Sequence, residues 1–216
     1  MAVEIPVFPL GVVLFPHMPL PLHIFEERYR QMMRDCRESR TGFGIVAIRE
    51  GVEVGGVARP HNVGTLAQLR KVEELDDGRF NILVVGKTRY RIDSLSQRKP
   101  YLTAKVEYLQ DSAGDETSSA RLAGHVSDAF RRYADALRAL AGETPSELEL
   151  PEDPELLSYL VAATLQVENS HKQALLEMDS ASDRLDGCLT LLRRELTLLD
   201  QRLARPAGRI APVSSN

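Results

Sequence analysis

The sequence contains no tryptophan and only two cysteines, Cys36 and Cys188, in 216 residues. Two cysteines so far apart, neither in a Cys-x-x-Cys pair, exclude a disulfide-rich scaffold and favour two buried, reduced thiols. The histidines are scattered and show no His-Glu-x-x-His or similar spacing, so we predict no metal site. No cofactor is expected.

Long apolar runs are also missing. No stretch approaches the roughly 18 uninterrupted apolar residues that a membrane helix needs. The apolar N-terminus has Glu4 where a secretory signal would be basic, and it is interrupted by Pro6, Pro9, Pro16, Pro19 and Pro21. We therefore expect a cytoplasmic protein that does not enter a membrane.

Charge is divided unevenly along the chain, whose net charge is −4. Residues 1–110 hold 16 Lys and Arg against 13 Asp and Glu, or +3, whereas the rest hold 11 against 18, or −7. The change falls at the acidic segment DSAGDETS, which is typical of a linker. We predict a domain over 1–112, a second over 113–205 and a flexible tail over 206–216.

In the first half, apolar residues mostly alternate with a period of two, which indicates strands. Strands are predicted in short Pro-broken pieces over 1–24, including a β-like run at Val12–Phe15, and in GFGIVAIRE, VGTLAQLRKVEEL, RFNILVV, TRYRIDSL and YLTAKVEYL. Asp77-Gly78 predicts a hairpin turn. One helix interrupts the strands before Gly42, because apolar residues repeat at helical spacing in Phe25, Tyr29, Met32, Met33 and Cys36.

The second half is predicted to be helical throughout. A stripe from Leu122 to Leu140 indicates one long helix. Asp153 and Pro154 suit the N-cap and first position of the next helix, and Ser170 with Gln173 suggests a capping box for a short one. A last helix is predicted from about Ala181 to Leu203. The predicted fold class is α+β: an antiparallel sheet domain, then a helical bundle.

Several segments resemble the N-terminal substrate-binding domain family of Lon proteases, in its stand-alone form. The opening elements are Phe-Pro-Leu at 8–10, Leu-Phe-Pro at 14–16 and LPLHIFEERY at 20–29. The strands over 42–96 and the element KQALLE at 172–177 continue the resemblance in the same order. It covers about residues 4–203.

This resemblance implies a PUA-like antiparallel β-barrel with one inserted helix, followed by an α-helical bundle subdomain. It implies a non-catalytic role in binding unfolded or tagged polypeptides, alongside a protease or chaperone. We expect no ATPase, protease or other enzymatic activity, and a monomer or weak homodimer.

Two short motifs imitate catalytic machinery. Gly86-Lys87-Thr88 matches the end of a phosphate-binding loop, but the glycine required five positions earlier is Asn81 and a strand-like segment follows. Ser112-Ala113-Gly114 resembles a protease nucleophile segment, but it lies in the acidic linker without a lysine placed to act as general base. No catalytic residue is predicted.

RNA binding is the alternative function. Lys87, Arg89 and Arg91 alternate on one predicted strand and could contact phosphates. The neighbouring aromatic residues fall on the opposite face by the same alternation, whereas single-stranded nucleic acid is usually stacked on exposed aromatics. With a negative overall charge, nucleic acid is the less favoured partner.

The candidate peptide-binding residues are Phe15, Pro16, His17 and Met18. Prolines and a flexible methionine suit an adaptable apolar contact surface. The competing interpretation is that Phe15 and Met18 belong to the core. The acidic segment 147–155 could attract basic polypeptides, with a solvated linker as its competing interpretation.

Overall fold

A computed structural model describes residues 3–53, 55, 58–112 and 116–204. Within these ranges all the strands precede residue 110 and four of the five helices follow it, so the predicted order of a sheet and then helices is confirmed. The elements are β1 (Val3–Leu10), β2 (Pro19–Ile24), α1 (Glu27–Ser39), β3 (Phe43–Glu50), β4 (Arg59–Pro60), β5 (Val63–Glu74), β6 (Phe80–Ser96), β7 (Leu102–Tyr108), α2 (Glu116–Ala141), α3 (Pro154–Thr164), α4 (Asn169–Glu177) and α5 (Ala181–Leu203).

The sheet runs in the order β1-β7-β6-β5-β3-β4, and β2 pairs with β6 beside this path. β1 also pairs with β3, so the pairings return to their first strand. The β1–β3 pair is parallel, which the prediction of a wholly antiparallel sheet missed. A parallel pair needs a long crossover, and the connection through β2 and α1 supplies it.

β6 is one continuous strand of 17 residues rather than the two that were predicted. It pairs with β5 along most of its length, with a register shift between Thr65 and Ala67. Gly86 lies at this irregularity, where a Cβ would stand 2.2 Å from the carbonyl oxygen of Phe15. The close approach explains why the strand needs glycine there. The turn before β6 is confirmed, with Gly78 at φ +76°.

Residues 12–15 do not form the predicted strand. β1 ends at Leu10, and an irregular link leads to β2. Its backbone is held by side chains, since Thr65 Oγ1 donates to the carbonyl of Leu14 at 2.6 Å and Gly11 N–H donates to Glu53 at 2.6 Å. Because these bonds replace a strand ladder, the link can turn Phe15 away from the sheet.

Most residues of the predicted helical stripes are buried, but Phe25, Leu140 and Leu203 at the ends of the stripes are exposed. α1 packs Tyr29, Met32, Met33 and Cys36 against one core on the sheet. The core of α2 to α5 includes apolar residues of every one of those helices, and it also contains Phe15 and Val63 from the first half. The two halves therefore share buried surface. The predicted domain boundary stays a prediction, and the predicted tail from residue 206 lies outside the described residues.

The predicted N-terminal cap is confirmed for α3 and is wrong for α4. Asp153 caps α3, accepting a hydrogen bond from Leu156 N–H at 2.7 Å, with Pro154 in the first turn as predicted. The predicted capping box of α4 is wrong, because the helix begins at Asn169. Gln173 is buried and donates instead to the carbonyl of Val63 at 3.0 Å. Its amide thus bonds the helix to β5.

Candidate functional site

The predicted peptide-binding residues lie in the link between β1 and β2. Phe15 is fully buried against Tyr159 of α3, with 6.3 Å between the ring centroids. Pro16 is buried and Met18 is partly buried, whereas His17 is exposed. In this conformation the side chain of Phe15 is not accessible to a bound polypeptide. A peptide-binding role for these four residues stays a prediction.

The three cations of the predicted nucleic-acid stripe do not share an exposed face. Lys87 and Arg91 are exposed, but Arg89 is only 2% exposed. The register shift in the β5–β6 pair interrupts the alternation on which the stripe depended. The prediction that these three cations share one exposed face is therefore wrong at the central residue, Arg89.

Arg89 extends from β6 into the helical half of the protein. Its Nη1 donates to the carbonyl oxygens of Leu176 and Met178 at 2.9 and 2.8 Å. Its Nη2 donates to Oδ1 of Asp111, in the linker between the halves. One guanidinium thus joins the sheet, the linker and the end of α4.

Arg184 of α5 approaches the same carboxylate. Its Nη2 donates to Oδ2 of Asp111, and its Nε donates to Ser158 Oγ at 2.8 Å. Its guanidinium lies 3.9 Å from the ring centroid of Tyr159, whose hydroxyl donates to Asp111 at 3.0 Å. We call Arg89, Asp111, Arg184 and Tyr159 the junction cluster.

The junction cluster has the properties of a structural lock. The side chain of Arg184 is fully buried and that of Asp111 is 10% exposed. Burial raises the pKa of Tyr159, so its phenol stays protonated and able to donate. Burial also raises the pKa of Glu155, which lines a cavity of about 260 Å³ beside the cluster. The charged groups of the junction cluster are paired with one another, so the cluster is suited to holding the sheet, the linker and the helices together.

An apolar cleft opens at the other end of the sheet, between the end of β1, β2 and the start of α1. Its volume is about 160 Å³. An engineered apolar cavity of about 150 Å³ in another protein binds benzene, so this volume suits one aromatic or large aliphatic side chain. We call it the apolar cleft. Most of its lining is apolar, namely Phe8, Leu10, Pro21, Leu22, Ile24, Phe25 and Tyr29, and the polar residues His23, Glu26 and Glu53 complete it.

Phe25 forms the exposed rim of the apolar cleft. It is 48% exposed, and its ring stacks on His23 with centroids 6.1 Å apart. The periodicity of the sequence had assigned Phe25 to the buried face of α1, but that helix begins two residues later, at Glu27. Phe25 thus lies before the first turn, where its ring faces solvent. The half-exposed ring and the cavity form one apolar surface.

Among the described strands β2 pairs with β6 alone, and its outer edge offers few backbone donors to a bound chain. Gly86 N–H donates to the carbonyl of Met18 at 3.0 Å, and alternation along the antiparallel pair then turns the N–H groups of Leu20, Leu22 and Ile24 toward β6. Pro19 and Pro21 occupy the outer edge and have no N–H. A ligand in the apolar cleft is therefore contacted by side chains rather than added as a strand.

Other chemistry finds little support in the described residues. No group of three or more His, Cys, Asp or Glu among them could hold a metal ion. Gly86-Lys87-Thr88 lies within β6 rather than before a helix. Ser112 forms a bridge with Ser180, while Ala113 and Gly114 lie outside the described residues. In the described part of the chain, no helix is long and apolar enough to cross a membrane.

The fold and its clefts define a mixed α/β module with an open apolar surface, and comparisons with known proteins place it in a family. The model of the ATP-dependent protease La (LON) substrate-binding domain matches residues 4–194. Since this match spans most of the chain, the protein belongs to the Lon substrate-binding domain family.

Whole relatives are much longer than this chain. Lon protease of Escherichia coli K12 is 31% identical over 199 residues, which are 91% of this chain and 25% of that protein. Lon protease 2 of Myxococcus xanthus is 27% identical over 198 residues, 90% of this chain and 24% of that protein. The chain thus spans about a quarter of the curated relatives that it matches.

Solved structures share the fold. A Lon N-terminal domain protein from Xanthomonas campestris aligns with a TM-score of 0.64 at 22% identity, covering 87% of this chain and 98% of that one. The N-terminal domain of a Mycobacterium avium complex Lon protease aligns with a TM-score of 0.64 at 17% identity, covering 88% and 98%.

Proposed function

We propose that this protein binds unfolded or tagged polypeptides by taking one of their apolar side chains into the apolar cleft. The observation that carries the proposal is an open cavity beside the half-exposed ring of Phe25. Apolar concavities with an accessible rim are typical of ligand and partner sites. Membership of a substrate-binding family supports the same role.

A single buried side chain contributes about 1.5–3 kcal/mol to binding. Millimolar affinity already requires about 4 kcal/mol. One pocket therefore holds a polypeptide only weakly, and a bound chain needs contacts elsewhere on the surface. Weak, side-chain-mediated contact suits a binder of many different unfolded chains.

We further propose that binding is the whole of the role, without ATP hydrolysis or peptide cleavage, and that the protein passes polypeptides to a protease or chaperone. The match to the substrate-binding part of Lon proteases supports this. A cytoplasmic location, the lack of a cofactor and a monomeric or weakly dimeric state remain predictions from the sequence.

We also infer that the circuit of paired strands is the PUA-like barrel that the family resemblance implies. Five strands, β1, β7, β6, β5 and β3, each pair with two neighbours in this circuit. Small closed sheets of this kind leave few open edges. Such a frame would present the apolar cleft on a rigid support.

The test is binding of a chemically denatured client to Phe25→Ala and to a matched control, Leu95→Ala. Both side chains are similarly exposed, at 48% and 46%, but Leu95 lies near the end of β6 and does not line the apolar cleft. Aggregation of the client is followed by light scattering, and affinity for an apolar peptide is followed by fluorescence anisotropy. We expect Phe25→Ala to weaken both the suppression of client aggregation and the binding of the peptide, and Leu95→Ala to leave both unchanged.

Equal activity of the two variants would remove the apolar cleft as the binding site. Loss of binding in neither variant, together with nuclease-sensitive recovery of nucleic acid from a lysate, would favour the RNA alternative over polypeptide binding.

A further inference from the structure

An extended, acidic segment crosses the helical half of the protein between α2 and α3. Residues 143–151 have no helix, strand or turn assigned to them. Glu143, Glu147, Glu149, Glu152 and Asp153 supply five negative charges, and residues 142–153 contain no Lys or Arg. We call residues 142–153 the strap.

Its extended form follows from the distance it covers. Asp153 lines the same cavity as Ser119 of α2 and Asp111 of the linker, so the strap returns to the start of α2. From Ser119 to Ala141 the helix rises roughly 33 Å, at 1.5 Å per residue. A dozen residues reach at most about 43 Å. The strap therefore has to cover about three-quarters of its maximum reach, which an extended chain does and a helix cannot.

Side chains alternate along the strap as they do in an edge strand. Leu148 and Leu150 are partly buried against the helical core, while Glu147 and Glu149 are exposed. Alternate residues of an extended chain point to opposite faces. The backbone N–H and C=O groups therefore point sideways, along the surface of the protein.

Among the described residues, these backbone groups have no hydrogen-bond partners. In the described part of the chain, no hydrogen bond involves the backbone of residues 147–152. Just before them, Arg138 Nη1 donates to the carbonyl of Ser146 at 3.0 Å and ties the strap to α2. An anchored, extended segment with unpaired backbone groups is a template for strand addition.

A groove lies beside the strap, where an added strand would fit. Its volume is about 680 Å³, with residues 146–150 on one side and Arg131 and Asp135 of α2 on the other. This volume falls within the roughly 300–1,000 Å³ usual for binding clefts. Arg131 Nη1 lies 3.5 Å from Asp128 Oδ1, and Arg138 Nη1 lies 3.2 Å from Asp135 Oδ1. Because these two cations are paired with aspartates of α2, the charges of Glu147 and Glu149 are not neutralised by them and the groove is acidic.

We propose that the strap binds an extended, basic segment of a polypeptide by strand addition in this groove. Backbone pairing would supply sequence-independent affinity, and the strap's glutamates would select Lys or Arg at neighbouring positions. The inference rests on the proposed function only in that the ligand is a polypeptide. It adds a second contact surface of defined charge, which shares no lining residue with the apolar cleft.

The experiment measures binding of a fluorescent peptide of alternating Lys and Val to the full chain. A second peptide of the same sequence carries N-methyl groups on alternate backbone amides, which block strand pairing and leave every charge in place. We expect the N-methylated peptide to bind at least about tenfold more weakly, as the loss of one or two net hydrogen bonds predicts. Backbone amides within residues 147–150 should gain protection from hydrogen exchange with the unmodified peptide alone.

Two double variants separate the groove from general acidity. Glu147→Gln with Glu149→Gln removes two groove charges, whereas Glu143→Gln with Glu152→Gln removes two strap charges outside the groove. We expect the first pair to weaken binding several-fold and the second to leave it nearly unchanged. Equal binding of both peptides, equal weakening by both pairs, or no binding of the unmodified peptide overturns the inference.

The outcome for the strap is distinguishable from that for the apolar cleft. Phe25→Ala should bind the Lys–Val peptide as the unmodified protein does. Loss of client binding by Phe25→Ala, with no binding of the basic peptide to any form, would leave the proposed function intact and remove the strap.

Discussion

Arg184 donates a hydrogen bond from Nη2 to the carboxylate of Asp111, which precedes it by 73 positions in the chain. Arg89 of β6 donates to the other oxygen of the same carboxylate. Two buried guanidinium groups from opposite halves of the protein thus depend on one acidic side chain. Both guanidinium groups are almost fully enclosed, so water cannot replace this carboxylate as their counter-charge.

Replacing Asp111 with Ala should strongly destabilise the protein. The substitution leaves two buried guanidinium groups without their counter-charge, and breaking a buried ion pair in this way costs about 3–5 kcal/mol. Urea unfolding followed by circular dichroism measures the free energy of unfolding. Asp93→Ala is the control, since Asp93 is exposed on the same strand as Arg89 and should change stability by less than about 0.5 kcal/mol. A similar loss of unfolding free energy in both variants would contradict the structural role of the junction cluster.

The pKa of Asp35 should depend on Tyr101. The hydroxyl of Tyr101 donates to Asp35 at 2.5 Å, and this bond is the main cause that holds the pKa of the carboxyl below its usual value. A lowered folded pKa adds stability above the unfolded value near 3.8, and that stability is lost as pH falls through the folded pKa. Tyr101→Phe should therefore be less stable than the unmodified protein at neutral pH, with the difference shrinking below about pH 4.

Carbon-detected NMR titration of the carboxyl groups checks this directly. Asp77 serves as an internal reference, because its pKa is lowered chiefly by a hydrogen bond from the backbone N–H of Arg79. We expect Tyr101→Phe to raise the pKa of Asp35 and leave that of Asp77 in place. An unchanged Asp35 would show that Lys99 and Gln31, which also bond to it, are sufficient.

The sequence predicted the order of elements well, because period-two and helical patterns are local. It placed α5 from Ala181 to Leu203, as the structure does. It failed at Val12–Phe15, where long-range side-chain bonds from Thr65 and Glu53 replace a strand ladder. Apolar β-branched residues alone cannot show that a segment is held in this way.

One member of the junction cluster, Arg184, is recognisable from the local sequence as a buried residue. Arg184 lies four residues before Cys188 and therefore on the buried stripe of α5. A lone cation in an apolar stripe must find a buried partner. Nothing local identifies that partner as Asp111, since the pairing depends on how the two halves dock. The burial of Arg89 is not predictable from its own strand for the same reason.

Both cysteines should resist thiol reagents in the folded protein. Burial raises the pKa of Cys36 to about 11 and that of Cys188 to about 12. At pH 8 almost no thiolate is present at either site, and the thiolate is the reactive form. A colorimetric thiol reagent should therefore label neither residue within the lifetime of the native state, and both in concentrated urea. Rapid labelling of one thiol without denaturant would show that its core opens locally.

Two glycines should respond to alanine in opposite directions. At Gly86 a Cβ would lie 2.2 Å from the carbonyl oxygen of Phe15, a backbone atom that cannot move without shifting the link and the core around Phe15. At Gly124, on α2, a Cβ would meet nothing within 4 Å. Alanine is favoured over glycine inside a helix by about 0.8–1 kcal/mol. We therefore expect thermal unfolding of Gly86→Ala well below that of the unmodified protein and of Gly124→Ala a few degrees above it. A neutral Gly86→Ala would mean that the link adjusts freely, and that the burial of Phe15 does not depend on its contact with β6.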